Sequence, residues 1–147
     1  MRLGQVLKTP AGIAAVVAVV AGLLLALTLF MSWGQQRCPL EPCPYPNGWQ
    51  TLSVLDIPIA LLAGAAVVVA VLSLLGQTAR TALVLAGVGG IAVILVLLAP
   101  LIDRPGPRPK LFDFGGGWTL GLVAALVVLA CGATIWVASS GVLEGEE

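Results

Sequence analysis

Cys38 and Cys43 enclose Pro-Leu-Glu-Pro, with Pro44 directly after, inside the only long polar stretch of the chain, QRCPLEPCPYPNGWQ. Two thiols at C-x4-C spacing can bind a metal, pass electrons or close a disulfide. Zinc takes three or four Cys, His or carboxylate ligands. The chain has no histidine, and Glu41 beside the two thiols would complete only a weak site. A membrane thiol relay needs a C-x-x-C pair and a second pair to exchange with, whereas the third cysteine, Cys131, stands alone in an apolar run. Burial as a small hydrophobe is the expectation for Cys131. The remaining chemistry for Cys38 and Cys43 is a structural disulfide. Closing so short a loop is worth only about 2 kcal/mol, so its effect is local shape, a rigid proline-stiffened knob.

Acid–base chemistry has few candidates. Only Asp56, Asp103 and Asp113 are placed to supply it, and a cleft joining them would be required. Asp56 has a simpler role at a helix start. Either Ser53 and Asp56 form a capping box, or Asp56 itself caps with Pro58 in the first turn. Arg104, Arg108 and Lys110 lie in DRPGPRPKLFDFGGGW. They would attract an anionic headgroup, a cell-wall polymer or a partner's loop, or simply keep a proline-stiffened connector solvated. Gly115 to Gly117 reads as a hinge, lacking the Lys and Ser/Thr of a phosphate loop. Glu144, Glu146 and Glu147 form a solvated acidic end.

The elements that position these residues follow from composition. Of 147 residues, 59% are apolar and 10% charged, against about a quarter charged in soluble domains. Charge is absent from 9 to 36, 57 to 79, 81 to 102 and 114 to 143, and each gap exceeds the roughly 20 residues that cross a bilayer. The expectation is one all-α, integral membrane four-helix bundle over residues 1–147. Its spans fall near 11–33, 57–76, 81–102 and 118–141, with outer loops at 34–56 and 103–117. The first apolar run is too long for a signal-peptide core, so an uncleaved anchor is expected.

Orientation is less one-sided. With the N-terminus inside, Arg2, Lys8 and Arg80 face the cytoplasm and Arg37, Arg104, Arg108 and Lys110 face out, a mild conflict with the positive-inside rule. Arg2 and Lys8 flank the first helix, which usually dominates, and a disulfide suits an oxidising face. Both termini are therefore placed in the cytoplasm, in the cell membrane. The short link at 77–80 makes the second and third helices antiparallel neighbours and leaves both long loops on one side.

Inside lipid, hydrophobicity cannot drive helices together, so close approach of small residues must contribute. Ala14, Ala18, Gly22 and Ala26 form such a stripe, as do Ala60 with Gly64, Ala66 with Ala70, Ala82 with Ala86 and Gly90, and Gly117 with Gly121 and Ala125. They suit packing within the bundle or docking of a partner helix. Gly48-Trp49 before the second span and Gly117-Trp118 before the fourth repeat one another. Duplication of a helical hairpin would explain the repeat; so would the preference of Trp for the membrane interface and of Gly for helix starts.

GWQTLSVLDIPIALLA, LIDRPG and GGGWTLGLVAALVVL together resemble a group of uncharacterised small bacterial four-span membrane proteins. These carry Gly-Trp-x-x-x-Ser-Val-x-Asp before the second span and Gly-x-Trp before the fourth. The resemblance implies an architecture and no activity, and the Cys-Pro stretch departs from the group's usual Gly/Ser-rich first loop. Two functional classes remain. One is a non-enzymatic structural or accessory protein that docks a membrane partner or displays its outer loops. The other is a subunit of an oligomeric small-molecule transporter or channel, which would need a polar groove lined by Thr28, Ser32, Ser73, Thr134 and Ser139. An enzyme ranks third. The lipid bilayer is the expected partner, with a membrane protein or second copy beside it; no cofactor, metal or nucleic acid is expected. Trp49, Asp56, Arg104, Arg108, Lys110 and Trp118 are the candidate outer-face contacts. In the unfolded, unreduced chain, an alkylating reagent should modify Cys131 alone, and intact-mass detection of three modified thiols would contradict the disulfide.

Overall fold

A computed structural model describes residues 8–35, 54–76, 78–102 and 113–141. The architecture is all-α, built from α1 (Pro10–Thr28), α2 (Asp56–Leu75), α3 (Ala79–Ile102) and α4 (Gly116–Ser140). A two-residue antiparallel ladder joins β1 (Gly34–Gln35) to β2 (Asp113–Phe114). At about 1.5 Å per residue the helices run from about 28 Å to about 37 Å, against roughly 30 Å of hydrocarbon. All four are long and apolar enough to cross a membrane, and the chain is a small multi-pass membrane protein. Along α4, Trp118 and Trp136 sit about 27 Å apart at that rise, a spacing that puts one indole near each interface.

Local chemistry sets the helix ends. Thr9 caps α1 by accepting the Gly12 N–H at 3.0 Å, with Pro10 at the first helical position where no donor is needed. The first span was expected to run to Trp33; α1 instead stops at Thr28. Its end tightens, with Leu29, Phe30 and Met31 donating three residues back to Ala26, Leu27 and Thr28, and this tighter winding swings Trp33 inward. At α2, Leu55 occupies the cap position without a side-chain bond, and Asp56 is the first helical residue. The Asp56 carboxylate accepts the Ile57 N–H at 2.7 Å, so it serves the first turn from inside it; Ser53 lies outside the described residues. Thr78 accepts the Thr81 N–H at 3.3 Å and opens α3 after the short link.

The helices form a ring in which α1 packs on α2 and α4, and α3 packs on α2 and α4. Two core layers fill it. One gathers Ala11, Ala14, Ala15, Ala18, Ala66, Ala70, Ala82, Leu85, Val128, Cys131 and Ile135; the other gathers Leu25, Leu29, Trp33, Leu55, Ile59, Ala63, Ala92, Val96, Ala99, Ala124 and Ala125. Alanine dominates the first layer and supplies nearly half of the second, while many of the larger aliphatic side chains point out toward lipid. Backbones consequently approach closely. A Cβ on Gly22 would lie 2.8 Å from Val67 Cγ2 of α2. Between α3 and α4, a Cβ on Gly89 would lie 2.5 Å from the Leu129 nitrogen, and one on Gly132 would run into the Ala86 backbone. The crossing therefore falls at Gly89, one residue before Gly90, whose added Cβ would reach only Leu129 Cδ1 at 3.9 Å. Gly64 and Gly87 face open space.

These contacts separate glycines that packing requires from those it does not. Gly89→Val or Gly132→Val should cost about 1–3 kcal/mol or more through overpacking, whereas Gly87→Val should stay within about 0.5 kcal/mol of the parent. Thermal unfolding of the purified protein in detergent checks this; equal losses in all three variants would contradict the α3–α4 crossing.

Candidate functional site

Of the residues singled out in sequence, Cys38, Cys43, Trp49, Asp103, Arg104, Arg108 and Lys110 lie outside the described residues. The packing and contact candidates that remain fall in two places. Ala14, Ala18, Gly22 and Ala86 lie along the helix crossings and Gly90 one residue off the α3–α4 crossing, while Asp56, Gly117, Gly121 and Trp118 gather at the end of the bundle from which both long loops leave.

At that end Trp33 is the organising side chain. It is 1% exposed, and its indole N–H donates to the Thr28 carbonyl at 2.6 Å, an acceptor left by the end of α1 and shared with the Met31 N–H at 3.0 Å. The Thr28 hydroxyl turns away to the Leu25 carbonyl at 2.7 Å. The ring then lies along the glycine face of α4. A Cβ on Gly117 would stand 2.7 Å from Trp33 Cδ1, and one on Gly121 would stand 3.3 Å from Trp33 Cζ2. At Gly117 only hydrogen leaves room for the indole, and at Gly121 a methyl would press tightly on it.

The backbone completes the joint. No side chain caps α4, and its first free donors are taken by the segment that follows α1. Gly115 N–H donates to the Trp33 carbonyl at 3.1 Å, and Gly117 N–H donates to the Ser32 carbonyl at 2.9 Å. A Cβ on Gly115 would collide with the Ser32 carbonyl. The glycine run expected to act as a hinge is therefore, at Gly115 and Gly117, a docking strip; Gly116 alone has open space. One step further out, Gly34 pairs with Phe114 and Gln35 with Asp113. Leu55 and Ile59 bring the start of α2 into the same core layer as Trp33.

Trp118 closes the other side. Its indole N–H donates to the Val96 carbonyl of α3 at 2.8 Å. Pro100, four residues on, has no N–H to give that carbonyl its helical partner. The indole supplies the missing donor across the α3–α4 interface. In the sequence Trp118 stands as an interfacial aromatic and a candidate outer-face contact; the structure turns its indole to α3, and Trp33, Val96 and Pro100 carry no local mark in the sequence as parts of this joint. A proline inside an apolar span, with tryptophans close by in other segments, was the available signal.

The arrangement offers structure more than chemistry. Among the described residues no three His, Cys, Asp or Glu side chains gather to hold a metal. Asp56 is engaged at its helix start, and Cys131 is buried in the far core layer. Nor do the hydroxyls line a common groove. Thr28, Ser73, Thr134 and Ser139 each donate to a carbonyl three or four residues back on the same helix. Two surface hollows exist. One of about 300 Å³ lies between α1 and α4 along Val20, Leu24, Met31, Leu120 and Val123; one of about 450 Å³ lies beside Pro10, Thr134 and Val137. Their linings come from α1, the turn that follows it and α4, with no residue of α2 or α3.

The chain matches no protein-family model, and no curated protein or solved structure matches it.

Replacing Trp33 separates the roles of its ring and its N–H. Trp33→Phe should cost about 1 kcal/mol for the lost hydrogen bond, and Trp33→Ala about 3–5 kcal/mol for the emptied volume. Thermal unfolding in detergent reads both. A Trp33→Ala protein as stable as the parent would show that the indole is not what joins α1 to α4.

Proposed function

We propose that this is a non-enzymatic accessory protein of the cell membrane, with both termini in the cytoplasm, whose helical bundle holds two outer loops as one surface for a membrane-protein partner. The observation that carries this reading is the joint at the outer end. The segment leaving α1 caps α4, fills its glycine face with Trp33 and pairs with the segment entering α4. Both loops therefore rise from a common base, which suits recognition by shape and by the basic residues Arg104, Arg108 and Lys110. The self-bonded hydroxyls of the spans give a solute no row of polar contacts to follow, which weighs against transport through the single chain. The resemblance to small four-span membrane proteins is compatible with this role and adds no activity to it.

Crosslinking in native membranes tests the proposal. The tagged protein should bring down one membrane protein in near-equal amount, and the triple change Arg104→Ser, Arg108→Ser and Lys110→Ser should lose that partner while thermal stability is kept. Recovery of the chain alone, or only with copies of itself, would overturn the accessory reading in favour of a self-assembled pathway.

A further inference from the structure

The α3 helix is one smooth element in outline, but its outer turn is held differently from the rest. Ala82, Leu85, Gly89, Ala92, Val96 and Ala99 form its buried stripe. Beyond Val96, Ala99 is the single buried residue, and Leu97, Leu98, Leu101 and Ile102 are exposed. At this point Pro100 interrupts the helical ladder, because it cannot donate to the Val96 carbonyl and its ring crowds that oxygen. Prolines are the commonest cause of sharp bends in helices, and within a bilayer they persist where a neighbouring helix satisfies the freed carbonyl. Here the satisfying group is the Trp118 indole N–H, 2.8 Å away on α4.

The geometry points to a latched hinge: residues 97–102 form an arm that pivots at Val96 and Pro100, and the Trp118 indole holds it closed against α4. The arm is the last part of α3 before the second outer loop, and the far end of that loop is fixed by the pairing of Asp113 and Phe114 with Gln35 and Gly34. Release of the latch would move Ile102 while Asp113 and Phe114 stay paired. Trp118 is thus a positioning residue for the outer surface, and the device operates whether or not a partner binds there. An unbroken ladder at this position would hold the turn without Trp118. Proline makes satisfaction of the Val96 carbonyl depend on a donor from another helix.

Hydrogen exchange of the protein in lipid nanodiscs tests this through a paired substitution. Trp118→Phe keeps the ring and removes the donor, and should speed exchange of the Leu98, Ala99, Leu101 and Ile102 amides by roughly tenfold, the loss of about one hydrogen bond, with Leu85 to Ala92 unchanged. Pro100→Ala restores the helical donor and should slow those outer amides below the parent. In the double variant, Trp118→Phe should then have no effect. Equal acceleration by Trp118→Phe in both backgrounds would make the indole a packing group and overturn the latch, as would no acceleration with Pro100 present. Should Trp118→Phe fail to fold, Pro100→Ala alone decides: slowed outer amides support the hinge, and unchanged ones refute it.

Discussion

Hydrocarbon supplies no hydrogen-bond partner, so every peptide group carried into the bilayer must find one within the chain. Helices meet this demand along their length and fail it at their ends and at prolines. The half of this bundle from which both long loops leave is organised around those failures. Thr28, at the end of α1, and Val96, opposite Pro100, each present a carbonyl that an indole N–H satisfies. The uncapped start of α4 takes the Ser32 and Trp33 carbonyls. The Trp33 bond is local to the end of α1, whereas the Trp118 bond and the two glycine N–H bonds reach across segments, so satisfying the backbone there also fixes how α1, α3 and α4 stand relative to one another.

A second condition follows from the same solvent. Leucine gains nothing by leaving lipid for a neighbouring leucine, and helices associate through contact area and shape. The chain responds by lining its core with alanine and placing glycine at the crossings, Gly22 against Val67 and Gly89 with Gly132 between α3 and α4. The same logic explains the glycine face of α4. Gly117 and Gly121 leave a trough wide enough for an indole, and Trp33 fills it, so the largest fully buried side chain of the described protein sits on its smallest residues.

Helix number and span position were legible because length and charge-free runs report them directly. Which face of each helix packs was legible only in part. In a soluble helix the polar face would mark the outside, but here both faces are apolar, and small residues are the sole guide. They led to Ala14, Ala18 and Gly22, which are buried, yet within AGVGG they could not distinguish Gly89 from Gly90, since a helical turn of about 100° per residue separates the two. The role of Trp33 was hidden for another reason: it depends on α1 stopping at Thr28, five residues before the apolar run ends at Trp33, and on the glycine face of α4 lying beside it. Likewise no local pattern links Pro100 to Trp118. The relation exists only once α3 and α4 lie side by side.

The end of α1 and the start of α4 are joined, so that the chain enters the first long loop and leaves the second from one base. Disulfide trapping in native membranes tests this joint most directly, using a chain with its own cysteines replaced by serine and carrying Gly34→Cys with Phe114→Cys, a pair in register across the ladder. Rapid bond formation under mild oxidation is predicted, with none when Gly34→Cys is combined with Ala79→Cys at the opposite end of the bundle. Failure of the first pair to form while both thiols remain reactive, or equal trapping of both pairs, would contradict the account.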